Sequence, residues 1–175
     1  MTVHERAIRQ ECGYTGRMPY WDEVNEVNEV NDLVGSNLWK EEYFGGDGAG
    51  TRSCVQDGSF ANLTLRWELN NQVADHCLTR NFNQQGFRAA AQTNIDRCNA
   101  IDPFSDARSC WDGSPHSAGH GGVGGIMVDP TLSPGDPVFY VHHSYLNKHW
   151  WEWQKLDLEN RLYDVGGPNI PKPRR

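Results

Sequence analysis

Apolar positions recur at helical spacing in two stretches of this chain. Phe139, His143, Leu146, Trp150 and Trp153 follow one another at steps of four, three, four and three, which marks one stripe of a helix with a histidine in its middle. Asp136-Pro137 ahead of it is a helix-start signal, because the carboxylate can accept free N–H groups and proline tolerates the first turn. The helix is expected to run to about Leu162, before Gly166 and Gly167. Phe87, Ala91, Ile95 and Cys98 mark a second helix, and residues 3–12 a third, which Gly13 can terminate. Val24-Asn-Glu-Val27-Asn-Glu-Val30 repeats every three residues, a period that suits neither a helix face nor a strand, so 24–32 reads as a low-complexity surface loop. Pro19-Tyr20-Trp21-Asp22 reads as an extended, aromatic-anchored segment. Residues 36–75 read as loop with short strand-like pieces such as Leu63–Trp67.

Two imidazoles at i and i+4, His116 and His120, are aimed the same way by one helical turn. With His143 they outline a metal site. Spacing alone favours a blander reading, since a histidine on an apolar stripe is commonly a hydrogen-bonded core residue. Gly121, Gly122, Gly124 and Gly125 also weaken the helix that the pair needs. A zinc-protease motif does not fit, because Ser117 stands where the general base would be.

Three stretches together say more: Gly113–Gly125 with its two histidines, Ser133–His143 with its His-His doublet, and Leu146–Gln154 with its tryptophans. They resemble the second copper-binding half of the tyrosinase family, and in particular its fungal polyphenol-oxidase-like members. The likeness continues upstream through Arg9–Gly16, Pro19–Asp22, Asp57–Thr64 and His76–Phe82, so it covers nearly the whole chain. The resemblance implies a mainly α, truncated di-copper helical bundle with long loops and little β. It implies His116, His120 and His143 as ligands of the copper called CuB. Phe139, His142 and Asp136 are expected just outside them: Phe139 against a ligand ring, His142 packing on the next face, Asp136 capping the helix.

The family's reaction uses two coppers, each held by three histidines, to oxidise phenols or o-diphenols to o-quinones with dioxygen. The ligands of the other copper, CuA, precede the helix that leads to Cys12, the last of them in a Trp-His-Arg motif. Of the seven histidines here, His4, His76, His142 and His149 remain after the CuB set, and they form no second set. The chain is therefore expected to be N-terminally truncated. The resemblance implies a copper oxidoreductase domain whose full-length form carries out this reaction; the alternative is a non-catalytic remnant or subunit that binds at most one metal and needs a partner for CuA. The apolar face around Phe139, His143 and Trp150 should then be exposed and prone to self-association. Ser117 and Gly121 follow the first two ligands; no Asn stands beside the first, which favours diphenol over monophenol chemistry. His76 is expected to be structural.

A chain of 175 residues fits one domain, 1–175, with a flexible tail at 167–175. The net charge of −7 argues against a nucleic-acid or anionic-membrane partner. No apolar run approaches a membrane span. The 18 glycines and 9 prolines predict many loops between few helices. Five cysteines without a Cys-x-x-Cys pair exclude a common zinc motif and leave at least one thiol over. Several fit disulfide positions of secreted family members, and Asn62-Leu63-Thr64 is a glycosylation sequon. No signal peptide is expected at Met1, where His4, Glu5, Arg6 and Arg9 interrupt any apolar segment. Localisation stays open.

Overall fold

The computed structural model describes residues 1–27, 33–66 and 74–167. Residues 28–32 of the expected surface loop, Trp67 of the strand-like piece and most of the expected tail lie outside them. The fold is mainly α. In chain order it comprises α1 (Thr2–Cys12), α2 (Glu23–Asn25), β1 (Gly48–Ala49), β2 (Cys54–Val55), β3 (Thr64–Arg66), β4 (Asp75–Cys77), α3 (Gln84–Phe87), α4 (Gln92–Asn99), α5 (Phe104–Trp111), α6 (Ser117–Val123), α7 (Val138–Leu156) and α8 (Leu158–Arg161). The strands form two small antiparallel pairs, β1 with β2 and β3 with β4.

α1 ends as expected at Gly13, whose φ of 64° is left-handed. None of its residues is buried, and His4 stacks on Tyr140 of α7 at 4.1 Å. The second predicted helix is interrupted. Ala91 is extended (ψ 147°) between a 3₁₀ turn and α4. The long helix also stops earlier than Leu162: Asp157 leaves helical geometry (φ −156°, ψ 75°) and its carboxylate caps α8 through the Asn160 N–H. The predicted loop begins with the single turn α2, capped by Asp22, whose carboxylate accepts the Asn25 N–H.

The principal correction concerns α7. Its sealed stripe is Val138, His142, Tyr145, His149 and Trp153, which shares Trp153 with the predicted one and otherwise lies one position round from it. Phe139, His143, Leu146 and Trp150 are only half-buried. The expected exposure of this face is thus reduced, as Trp150 meets Phe104 at 5.8 Å and Phe139 lies 4.0 Å from the His143 ring.

Three apolar clusters hold these elements. Trp21, Leu33, Trp39, Phe87, Ala118, Val123, Met127 and Val138 pack α3, α6 and the start of α7 together. Trp21 stacks on Phe87 at 5.0 Å, the kind of aromatic pair worth about 1 kcal/mol beyond its buried area. Trp111 and Trp153 tie α5 to the far end of α7 beside the Cys98–Cys110 disulfide. Val55, Leu78 and Ile126 bind the hairpins to the turn after α6, where Cys54–Cys77 joins β2 to β4. Cys12 is free and exposed.

Asp136 does more than cap. It accepts the Val138 N–H at 3.0 Å and also a two-pronged contact from Arg80, 2.9 and 3.0 Å, both side chains having no exposure. Arg80 Nη1 donates to the carbonyls of Phe44 (3.0 Å), Gly45 (2.8 Å) and Gly46 (3.3 Å). A buried ion pair this well satisfied fixes where α7 begins and how it is rotated, and losing either partner would strand a charge.

Candidate metal centre

α6 carries His116 at its N-cap and His120 one turn on. It is helical despite its glycines because two of them are packing sites. A Cβ on Gly119 would collide with the His142 ring and crowd Glu23, and one on Gly122 would press on Phe87. Close approach to α7 and α3 therefore outweighs the roughly 1 kcal/mol that each glycine costs in a helix.

Facing α6 is the doublet of α7. His116, His120, His142 and His143 each bring one ring nitrogen into a group whose members all lie within 4.8 Å of one another. His120 Nε2 and His143 Nε2 are 3.3 Å apart. His120 Nδ1 is 2.5 Å from the Met127 carbonyl; since a carbonyl only accepts, Nδ1 carries the proton and Nε2 is left bare. His116 Nδ1 meets Asp112 Oδ1 at 2.9 Å. Anchoring the far nitrogen in this way fixes tautomer and ring orientation, as in most metal-bound imidazoles.

The surroundings keep His120 and His143 uncharged. Burial lowers His120 to about 4, with His142 adding to it. Burial lowers His143 to about 3, with His142, His116 and His120 contributing. A metal needs the neutral imidazole, so both are ready ligands at neutral pH. The nitrogen donor set, bare at His120 and with a buried, unpartnered His142 Nε2 beside it, fits copper among the ions that imidazole suits.

His142 is the unlike member. It has no exposure, and its Nδ1 is hydrogen-bonded to Oε1 of Glu23, which is equally sealed. Desolvation raises the Glu23 carboxyl well above its ordinary value, and the same cause lowers His142 to about 3. Both shifts favour the neutral pair. Glu23 gives no sign of itself in the sequence, where it stands just ahead of the Val-Asn-Glu run. Asp112 was readable as an i, i+4 partner of His116; the Met127 carbonyl, a backbone group, was not.

Of the predicted neighbours, Phe139 lies against His143 and 6.0 Å from the His120 ring. Asp136 is not placed against the imidazoles: Arg80 and the Val138 N–H take its oxygens. The other histidines stand apart. His4 is on Tyr140, His76 is in β4, and His149 is buried edge-on to Tyr145 at 4.3 Å. The four imidazoles form the one group of this kind among the described residues. A cleft of about 490 Å³ opens over His116, His120 and His143, walled by Met127, Val128 and Phe139. No helix among the described residues is long and apolar enough to cross a membrane.

Known proteins share the sequence pattern and the fold. The profile described as the common central domain of tyrosinase matches residues 1–156. Tyrosinase-like protein phomQ1 of Diaporthe leptostromiformis is 36% identical, over 95% of this chain and 48% of its own length. A tyrosinase of Streptomyces antibioticus is 30% identical, over 95% of this chain and 64% of its own. A solved variant of the polyphenol oxidase from Thermothelomyces thermophila superposes with a TM-score of 0.73 at 26% identity, covering 90% of this chain and 52% of that one. The chain thus spans about half the length of the first curated relatives it matches, 45% and 48% of two of them. With a family profile along most of the chain and an imidazole cluster suited to copper, the chain belongs to the tyrosinase family of copper oxidoreductases.

Proposed function

We propose that this chain provides the CuB half of an oxidase acting on o-diphenols, with His116, His120 and His143 as the ligands and His142 outside them. The observation that carries the reading is that those three rings, and not His142, line the open cleft. His142 is sealed behind them with Nδ1 committed to Glu23. Copper, when bound, supplies the electron exchange with dioxygen that turns o-diphenols into o-quinones, and two ions are needed for two electrons.

The chain's own residues supply the rest. Asp112 and the Met127 carbonyl hold His116 and His120 in register. Phe139 and Val128 give the cleft an apolar wall suited to an aromatic ring and hostile to bulk water. The Ser117 hydroxyl donates to the Asp112 carbonyl at 2.6 Å, so it is spent within its own turn, and Gly121 has no side chain. Neither residue beside the ligands offers a group to orient a water against a monophenol. This supports diphenol oxidation.

A second reading is a single-metal protein, or a subunit whose partner supplies CuA. It is favoured by the single imidazole group among the described residues. Copper analysis with oxygen uptake on catechol and on a monophenol tests what the two readings share, and restored catechol turnover on adding a CuA-bearing chain favours the half-site over a single-metal protein. One copper per chain and no turnover by this chain alone support both; two coppers with catechol turnover sink both. No copper sinks the metal reading altogether.

A further inference from the structure

We infer that Glu23 is a positioning residue for the imidazole cluster, acting through His142. This rests on the copper-site reading above. Glu23 and His142 are 119 residues apart in sequence, yet Oε1 and Nδ1 share a hydrogen bond, and neither side chain is exposed. The pair lies against Gly119, the ligand-helix residue between His116 and His120, where no Cβ could fit. His142 in turn stacks parallel to His116 at 5.7 Å (interplanar 9°), and stands edge-on to His120 at 4.8 Å and to His143 at 5.1 Å. One sealed ring therefore touches every imidazole that faces the cleft, and one carboxyl group decides how that ring is turned.

Glu23 itself is held by the element that carries it. The Trp21 N–H donates to the Val141 carbonyl at 3.1 Å, and the Val24 N–H donates to the Tyr145 hydroxyl at 3.2 Å. Residues 21–24 are thereby docked along the buried face of α7, with the carboxyl group aimed between α6 and α7. A group placed only to fill space here would be apolar, because burying a carboxyl group costs free energy that packing alone does not return.

The test uses the full chain with Cu²⁺ as probe. Glu23→Ala should lose about 10- to 100-fold in Cu²⁺ affinity, the usual effect of removing a partner behind a ligand. It should also alter the Cu²⁺ electron paramagnetic resonance signature. Glu23→Gln, which keeps the acceptor oxygen, should retain both. A filler role would lower the thermal midpoint of the metal-free chain and leave the signature unmoved. Should Glu23→Ala fail to fold, Gly119→Ala, whose Cβ presses on both His142 and Glu23, disturbs the same pair from the other side and should change the signature likewise. In metal-free protein, the imidazole ¹⁵N resonances of His120 and His143 should move in Glu23→Ala. Unmoved resonances, or an unchanged affinity and signature in both alanine variants, overturn the inference. A wild-type chain that binds no Cu²⁺ while those resonances still move would remove the copper reading and uphold the positioning one.

Discussion

His142 and His143 are neighbours in sequence and sit on different faces of α7. One is sealed between α2 and α6 with no exposure; the other opens on the cleft beside Phe139. Burial lowers both to about 3, so the two rings share a protonation state and differ in what their nitrogens can reach. His142 spends Nδ1 on Glu23, whereas His143 turns Nε2 toward His120. In this helix depth separates the two rings, and the function proposed above takes the half-buried face for the ligands.

The anchor that sets the rotation of α7 offers the strongest way to break that contrast. Arg80→Met strands the Asp136 carboxylate and should cost about 3–5 kcal/mol in urea unfolding, the expected loss for half of a buried pair. Both faces should loosen together, with Cu²⁺ uptake falling alongside stability. Single substitutions should separate them. His142→Ala should cost about 2–4 kcal/mol through the cavity it leaves and the unpaired Glu23. His143→Ala should leave the metal-free melting point nearly unchanged while weakening Cu²⁺ binding by more than about 100-fold, beyond the loss of an outer partner. Melting curves that rank the two variants the other way would reverse the assignment of the faces.

Acid should act mainly through the buried rings. An unfolded imidazole takes its proton near 6.5, while folded His142 stays near 3 and His149 near 4. The folded values are depressed, so the unfolded state binds more protons below pH 6.5 and stability is lost as pH falls toward 4. The metal-free melting point should therefore drop between pH 7 and pH 4.5, and His149→Phe should flatten that slope. The smallest effect belongs to a third face: Trp151 is 47% exposed, and Trp151→Ser should shift stability by no more than about 0.5 kcal/mol.

Much of this was legible in the sequence. The helix ending at Gly13, the helical doublet and the paired imidazoles at 116 and 120 follow from spacing and capping chemistry. The choice of buried stripe was not, for a physical reason. Val138-His142-Tyr145-His149 and Phe139-His143-Leu146-Trp150 have the same helical spacing, and the second is the more apolar. Depth went to the first because residues 21–24 pack on it, Glu23 meeting His142 Nδ1 and the Val24 N–H meeting the Tyr145 hydroxyl, and partners so distant leave no local mark. The glycines of α6 counted against a helix for a similar reason: what they accommodate, His142 and Phe87, is supplied by other elements. Asp136 was readable as a cap and unreadable as an ion pair, since Arg80 lies 56 residues away.

The turn after α6 extends the reach of the site. Gly124 and Gly125 have positive φ, 67° and 53°, and a Cβ on either would strike the carbonyls of Asn81 and Thr79. The same turn delivers the Met127 carbonyl to His120. A saturation library screened for copper uptake should therefore show intolerant positions at 124 and 125, although neither residue offers a donor atom. The heritable footprint of this centre is wider than its ligand set, and it runs along the backbone as far as the hairpin that closes at Cys77.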